Sequence, residues 1–298
     1  MTGRFLAIGE CMVEMAPRGD GAFGMGFAGD VFNTAWYFRR CCGGRIEVGF
    51  LSAIGDDDVS RRMEEFIRAA GVQPHLAVLP GRSVGLYLIS LRDGERSFSY
   101  WRSASAARDL ADHLDELTRL GPGDVAYFSG ITLAILSDTA RDTLLAALAR
   151  ARDAGVRIAF DPNLRPRLWA DGPVMCAAVT KGGAVADIVL PSFEDEASWF
   201  GDADPAATAR RYLGGGASLV AVKDGAGPVL LATPDSTEEV PVAPASEIVD
   251  TTAAGDSFNA RLLCGLMEGE APAAAARAAS ALAGQVIGAR GALVETGP

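Results

Sequence analysis

The stretch DTTAAGDSF (residues 250–258) places two carboxylates, Asp250 and Asp256, six positions apart around residues that offer little but backbone. A strand-like EIV precedes it. After it Phe258, Leu262 and Leu266 recur every four residues, with Cys264 and Met267 widening the apolar face, which predicts a helix. The small residues then open that helix, where the first N–H groups have no intrahelical acceptor and the dipole favours negative charge. Ala253, Ala254 and Gly255 would form an amide cradle for a phosphate or a developing anion, which side chains larger than alanine would block. Asp256 beside the cradle could take the proton of an alcohol attacking a phosphoryl group. The helix dipole should hold Asp256 ionised and make it a weak base. Phosphoryl transfer tolerates this, because in a loose transition state the attacking hydroxyl needs orientation more than early deprotonation. Asp250 is too far away to share that job. For an arbitrary pair of acids a plainer reading stands beside this one: a first-turn acid at Asp256, and a turn and cap at Asp250-Thr251-Thr252.

Other residues carry chemistry of the same kind. Gly29 and Asp30 precede a helical pattern at 31–40, with Asn33 one turn on. They would bring backbone, carboxylate and amide against hydroxyls, or form an ordinary N-cap. Tyr100 and Arg102 share one face of a strand, because side chains repeat every two residues, and Tyr87 lies on the strand before it. Arg165, in DPNLRPRLW, follows the strand-like RIAF at the carboxyl end, where open α/β sheets bind ligands. A guanidinium there suits a bidentate carboxylate or a phosphate, with Arg167 as competitor and Asp161 as a turn residue. Lys223, Gly225 and Gly227 of VKDGAGP read alone as a hairpin turn. No GxxxxGK[ST] loop occurs, so nucleotide binding would rest on the helix start at 254–256.

Positioning these groups requires a sheet with helices on both faces. From about residue 124, short apolar runs alternate with helical patterns: VAYFSG, a helix near 137–154, RIAFDPN, a helix near 173–180, DIVLPS, a helix near 194–213, and SLVAVK. Ser137 can cap the first of these helices, Leu144, Leu145, Leu148 and Ala151 form its stripe, and Gly155 marks its stop. In the first hundred residues FLAIG and VGFLSAIG read as core strands, whereas VGLYLISL and RSFSYW flank the turn-like RDGE and read as a hairpin inserted as a lid. APAAAARAASALAGQVIGARG is helix-compatible after Pro272.

The 298 residues leave one large or two smaller domains open on size, and a formal charge of −11 argues against a general nucleic-acid or anionic-membrane binder. Five cysteines without CxxC spacing and two histidines, His75 and His113, argue against a disulfide framework or structural zinc and for a reducing cytoplasm. No apolar run is long enough for a membrane span, and the N-terminus lacks a signal-like segment.

DTTAAGDSF resembles the second signature of the ribokinase (PfkB) family of sugar kinases, DTTGAGDSF. Alanine for that glycine at 253 or 254 is tolerable where φ is negative. The similarity covers essentially the whole chain. GECMVEM (9–15), FAGDVFNTAWYFRR (27–40), GLYLIS (85–90), SYWRSASAA (99–107), FSGITLAILS (128–137) and FDPNLRPRLW (160–169) are similar to the 2-keto-3-deoxygluconate kinases within the family. The resemblance implies one ribokinase-like α/β domain over 1–298, with a mostly parallel central sheet flanked by helices and a small β lid from about 10–26 and 83–102. It implies ATP-dependent phosphorylation of the 6-hydroxyl of 2-keto-3-deoxygluconate, with Asp256 as base and the 253–255 amides stabilising the transferring charge. Gly29, Asp30, Asn33, Tyr87, Tyr100, Arg102 and Arg165 would bind the sugar acid; Asn163, Lys223, Gly225 and Gly227 would serve the nucleotide. Relatives commonly use an NxxE motif toward Mg²⁺; here Ser192 and Asp195 stand in its place, so Asp195 would serve the metal through water, with Glu194 and Glu196 as alternatives. A monovalent cation near Asp250 and Thr252, and a homodimer or higher oligomer through the lid, belong to the same expectation. Kinases of the family for fructose, ribose or 5-dehydro-2-deoxygluconate, and a catalytically silent sugar-acid sensor, are the rival readings.

Overall fold

The structure is a computed structural model and describes residues 3–19, 21–92, 95–242 and 247–296. In chain order, β1 (Arg4–Ile8) leads into β2 (Met12–Gly19) and β3 (Ala22–Ala28), then α1 (Asp30–Cys42), β4 (Glu47–Gly55), α2 (Asp58–Ala69) and β5 (Gln73–Leu79). The hairpin β6 (Leu86–Arg92) and β7 (Glu95–Trp101) follows. Then come β8 (Val125–Ser129), α3 (Gly130–Ile135), α4 (Asp138–Asp153), β9 (Arg157–Asp161), α5 (Gly172–Ala184), β10 (Ile188–Val189), α6 (Phe193–Phe200), α7 (Pro205–Gly214) and β11 (Leu219–Val222). The chain closes with β12 (Val229–Ala232), β13 (Thr237–Val240), α8 (Ala254–Met267) and α9 (Pro272–Val286).

The large sheet has the order β13-β12-β11-β10-β9-β8-β1-β4-β5. It is parallel from β11 to β5 and antiparallel at β12 and β13. β1 shows why helices cover both faces: Phe5 and Ala7 join one apolar core with α1, α8 and α9, while Leu6 and Ile8 join the other with α3, α4 and α5. All four are buried, as alternation in a doubly covered strand requires. The chain leaves β1 toward β4 on one side and returns to β8 on the other. That reversal opens a crevice outside the carboxyl ends of β1 and β8, the general ligand position in such sheets.

The second sheet, β3-β2-β6-β7, grows directly from the end of β1. The hairpin expected around RDGE pairs Leu86 with Trp101 through Arg92 with Glu95; its turn lies outside the described residues. One face of this sheet sends Val13 and Phe27 into the core against α1 and α2. The other packs Met12, Ala28, Tyr87 and Ile89 with Ala292 and Ala253, so it stands over the crevice. Ala28 is part of that packing.

The expected α4 forms, with the Ser137 side chain accepting from the Ala140 amide. The expectation of one helix over 194–213 is corrected. Gly201 adopts φ 73° and ends α6, and α7 restarts at Pro205 with Asp204 as its cap, because a left-handed glycine and then a helix-opening proline interrupt the run. Among the described residues no helix is long and apolar enough to cross a membrane.

Candidate active site

Asp256 is the third residue of α8, and Asn33 lies one turn into α1; the Asn33 Nδ2 donates to Asp256 Oδ2 at 2.8 Å. Asn33 is itself fixed by its own turn, its Oδ1 accepting from the Gly29 amide at 3.2 Å. Gly29 is required there by close approach: a β-carbon would stand 2.3 Å from the Glu10 carbonyl oxygen. Asp30 opens α1 and its Oδ2 accepts from Asn163 Nδ2 at 3.0 Å. Asn163 thus meets the Asp30 carboxylate at the carboxyl end of β9, and it holds a left-handed φ of 35° that asparagine tolerates better than most residues.

The start of α8 differs from the expected cradle of Ala253, Ala254 and Gly255 amides. The Ala254 amide closes a turn onto the Thr251 carbonyl at 3.3 Å, so the amides of Gly255 and Asp256 are the ones that open the helix. The alanine that replaces glycine is at the strained position: Ala253 has φ 60° and ψ 13°, the left-handed region, not the negative φ at which alanine would be tolerable. Asp250, buried, braces the loop. Its Oδ1 accepts from the Thr252 amide at 3.1 Å and hydroxyl at 2.7 Å, and its Oδ2 from the Gly291 amide at 2.7 Å.

The expectation that the helix dipole keeps Asp256 a weak base is also corrected. Burial pushes its pKa up to about 7, and Asp30 and Asp161 push the same way; the Asn33 bond and the Lys223 ammonium oppose them. Desolvation together with two neighbouring carboxylates outweighs a partial charge at a helix end. Asp30 is raised as well, chiefly by burial.

Lys223 follows β11, and its Nζ donates to Asn259 Oδ1 at 3.0 Å and stands 3.6 Å from Asp161 Oδ2. A β-carbon built on Gly255 would lie 3.7 Å from that ammonium, so Lys223 sits at the cradle. Gly225 and Gly227 form the turn between β11 and β12, Gly225 with φ 54° and the Gly227 amide donating to the Asp224 carbonyl at 2.7 Å. Asp161 combines the turn role with a second one: Oδ1 accepts from the Asn163 amide at 3.2 Å and Oδ2 from Asn259 Nδ2 at 2.7 Å.

On the lid, Tyr87 is buried with its hydroxyl donating to Glu14, and its ring lies 6.0 Å from that of the half-exposed Tyr100. The Arg102 guanidinium is 6.0 Å from the Tyr100 ring and forms an ion pair with Glu10, the two side chains 10% and 2% exposed. Arg165 donates to the Leu164 carbonyl at 2.8 Å and stands 3.9 Å from Asp195. Of the three acids at 194–196, Glu196 is buried against Arg211 and Tyr212 and Glu194 is exposed, leaving Asp195 on the Arg165 side. Burial raises the Asp195 pKa and Arg165 lowers it.

Two functional candidates escaped the sequence reading. Glu10 lies in the quoted GECM and Asn259 three residues after Asp256, but no local pattern says that either meets a charge from another element.

The chain matches the pfkB family of carbohydrate kinases over residues 4–296. It is 36% identical over 304 residues to a 2-dehydro-3-deoxygluconokinase of Dickeya dadantii, covering 99% of this chain and 98% of that protein. The crystal structure of a PfkB protein from Polaromonas superposes with TM-score 0.86 at 26% identity over 98% of this chain and 97% of that one. A fructokinase with bound ATP from Xylella fastidiosa does so with TM-score 0.84 at 25% identity, covering 98% and 94%. The chain, with a carboxylate beside a helix start at the carboxyl edge of a ribokinase-like sheet and under a small β sheet, is a phosphotransferase with an alcohol acceptor. The chain belongs to the pfkB family of carbohydrate kinases.

Proposed function

We propose that this kinase transfers the γ-phosphoryl group of Mg·ATP to the 6-hydroxyl of 2-keto-3-deoxygluconate, giving the 6-phosphate. The observation that carries the acidic substrate is the pair of arginines around the crevice: Arg102, buried at the root of the lid, and Arg165 at the carboxyl end of β9. Two guanidiniums in so acidic a chain suit the carboxylate of a sugar acid, which a neutral sugar lacks. The similarity to the Dickeya enzyme over nearly the full length supports the same substrate.

In this reading one oxygen of the Asp256 carboxylate takes the 6-hydroxyl proton, and a pKa near the working pH suits that task. The start of α8 and Lys223 face the charge that develops on the transferring group. Asp30 and Asn33 orient the sugar hydroxyls and Asn163, held on Asp30, serves the nucleotide side, while Tyr87 and Tyr100 on the lid cover the acid end and exclude water that would hydrolyse ATP.

Mg²⁺ fits the residues present. Asp195 offers one partly exposed carboxylate, and this ion takes one or two carboxylates, the nucleotide phosphates and water. Asp195 would hold it through water, and the bound ion would neutralise charge on the phosphates. Phe23, Phe98, Tyr100 and Trp101 leave the lid with large exposed aromatic area, which a second copy of the chain would cover.

A coupled assay with Mg·ATP across 2-keto-3-deoxygluconate, its galactonate epimer, fructose and ribose tests the assignment. The sugar acids should give a kcat/KM at least about a hundredfold above the neutral sugars, two lost charge-assisted bonds being worth that much. Faster turnover of fructose or ribose would reject it. Light scattering on the purified protein reads the oligomer.

A further inference from the structure

Asn259 is fully buried one turn after Asp256 on α8, and its carboxamide lies between two opposite charges. Oδ1 accepts from Lys223 Nζ at 3.0 Å, while Nδ2 donates to Asp161 Oδ2 at 2.7 Å and reaches the Tyr127 hydroxyl at 3.2 Å. The Lys223 ammonium and the Asp161 carboxylate are 3.6 Å apart, with side chains 16% and 7% exposed. That gap exceeds a charge-assisted hydrogen bond, yet in so little solvent the two charges attract strongly and would close on one another if nothing held them.

We propose that Asn259 is a positioning residue that holds Lys223 off Asp161 and so keeps the ammonium at the phosphate cradle. The chemistry of the side chain fits the task. A carboxamide offers an acceptor to the cation and two donors to the carboxylate and phenol on one rigid planar head. An aspartate would repel Asp161, and a leucine of similar shape would bond neither group. With the wedge removed, Lys223 and Asp161 pair directly, and the ammonium withdraws from Gly255, beside which it now stands. Asn259 therefore acts on the nucleotide only through Lys223.

The inference rests on the ATP-side part of the proposed function and is independent of which sugar is phosphorylated. A double-mutant cycle with Lys223→Met and Asn259→Leu tests it, read as KM for ATP, KM for the sugar, kcat and melting temperature. Each single change should raise the KM for ATP by about tenfold, the worth of one hydrogen bond to a charged group. The double variant should be no worse than Lys223→Met alone, because the wedge has nothing left to position. The sugar KM should move by less than about twofold in all three. Asn259→Ser, which keeps a hydroxyl for one of the two charges, should give a smaller rise with the same non-additivity, and serves if the leucine variant fails to fold. Effects that multiply, or a sugar KM that rises alongside that for ATP, would overturn the proposal. An unchanged KM for ATP in Lys223→Met would remove the role of Lys223 and this inference with it, while leaving the sugar-acid assignment standing.

Discussion

The Asn33 amide donates to Asp256 Oδ2 across 2.8 Å and ties the first turn of α1 to the first turn of α8. The proposed base is thereby aimed by a neutral donor, not by a cation that would quench it. Asp256→Asn keeps an oxygen that can accept from Asn33 but cannot take a proton. The expected outcome is a fall in kcat of about a thousandfold, within the range usual for a lost general base, with ATP and sugar dissociation constants nearly unchanged by calorimetry. Retention of more than about a tenth of the parental kcat would remove Asp256 from the mechanism.

The pKa of about 7 at Asp256 makes activity and stability depend on pH in opposite ways. The base must be ionised to accept a proton, so kcat/KM should fall as pH drops through about 7. Asn33→Ala removes a bond that lowers this pKa, and the acid limb should move to higher pH. For stability, a carboxyl raised above its unfolded value binds its proton more tightly when folded. The folded state then loses stability as pH rises from the ordinary carboxylate range to about 7, and no more above it. Asp256→Asn should melt higher than the parent at pH 8, with the gain shrinking toward pH 5. An equal gain at both pH values would show that the charge is not its source.

The βαβ rhythm and the helix after DTTAAGDSF were legible because both are local: a period of two or of four and a capping residue report on neighbours in sequence. The break at Gly201 was missed because residues 194–213 are helix-compatible on either side of it. The basicity of Asp256 was misjudged for a different reason. The helix dipole is a property of the segment itself, whereas the burial and the Asp30 and Asp161 charges that outweigh it arrive from α1 and β9 only when the chain has folded. Glu10 and Asn259 were unreadable on the same ground, since each has its meaning in a charge carried by another element.

Ala253 stores backbone strain at the cradle, with its φ of 60° in a region that costs an L-residue about 1–2 kcal/mol. Ala253→Gly relieves it but adds entropy to the unfolded chain, so a net gain of up to about 1 kcal/mol is expected in denaturant melts. The cradle is made of backbone, so kcat should stay within about threefold of the parent. Destabilisation by the glycine would mean that the methyl packing against the lid is worth more than the strain.

Arg102 and Glu10 form a buried ion pair at the root of the lid, and removing one partner strands the other. Burial already raises the Glu10 pKa, with Arg102 as the main opposing influence, so Arg102→Met should leave a carboxyl that is costly to ionise. A loss of about 3–5 kcal/mol is expected at neutral pH, together with a raised KM for the sugar acid. Adding Glu10→Gln removes the stranded charge and should recover most of that stability. If Arg102 grips the substrate carboxylate, the KM for the acid stays high in the stable double variant. If Arg102 serves the lid alone, the KM returns toward the parental value as the melting temperature does, and the two readouts recover together.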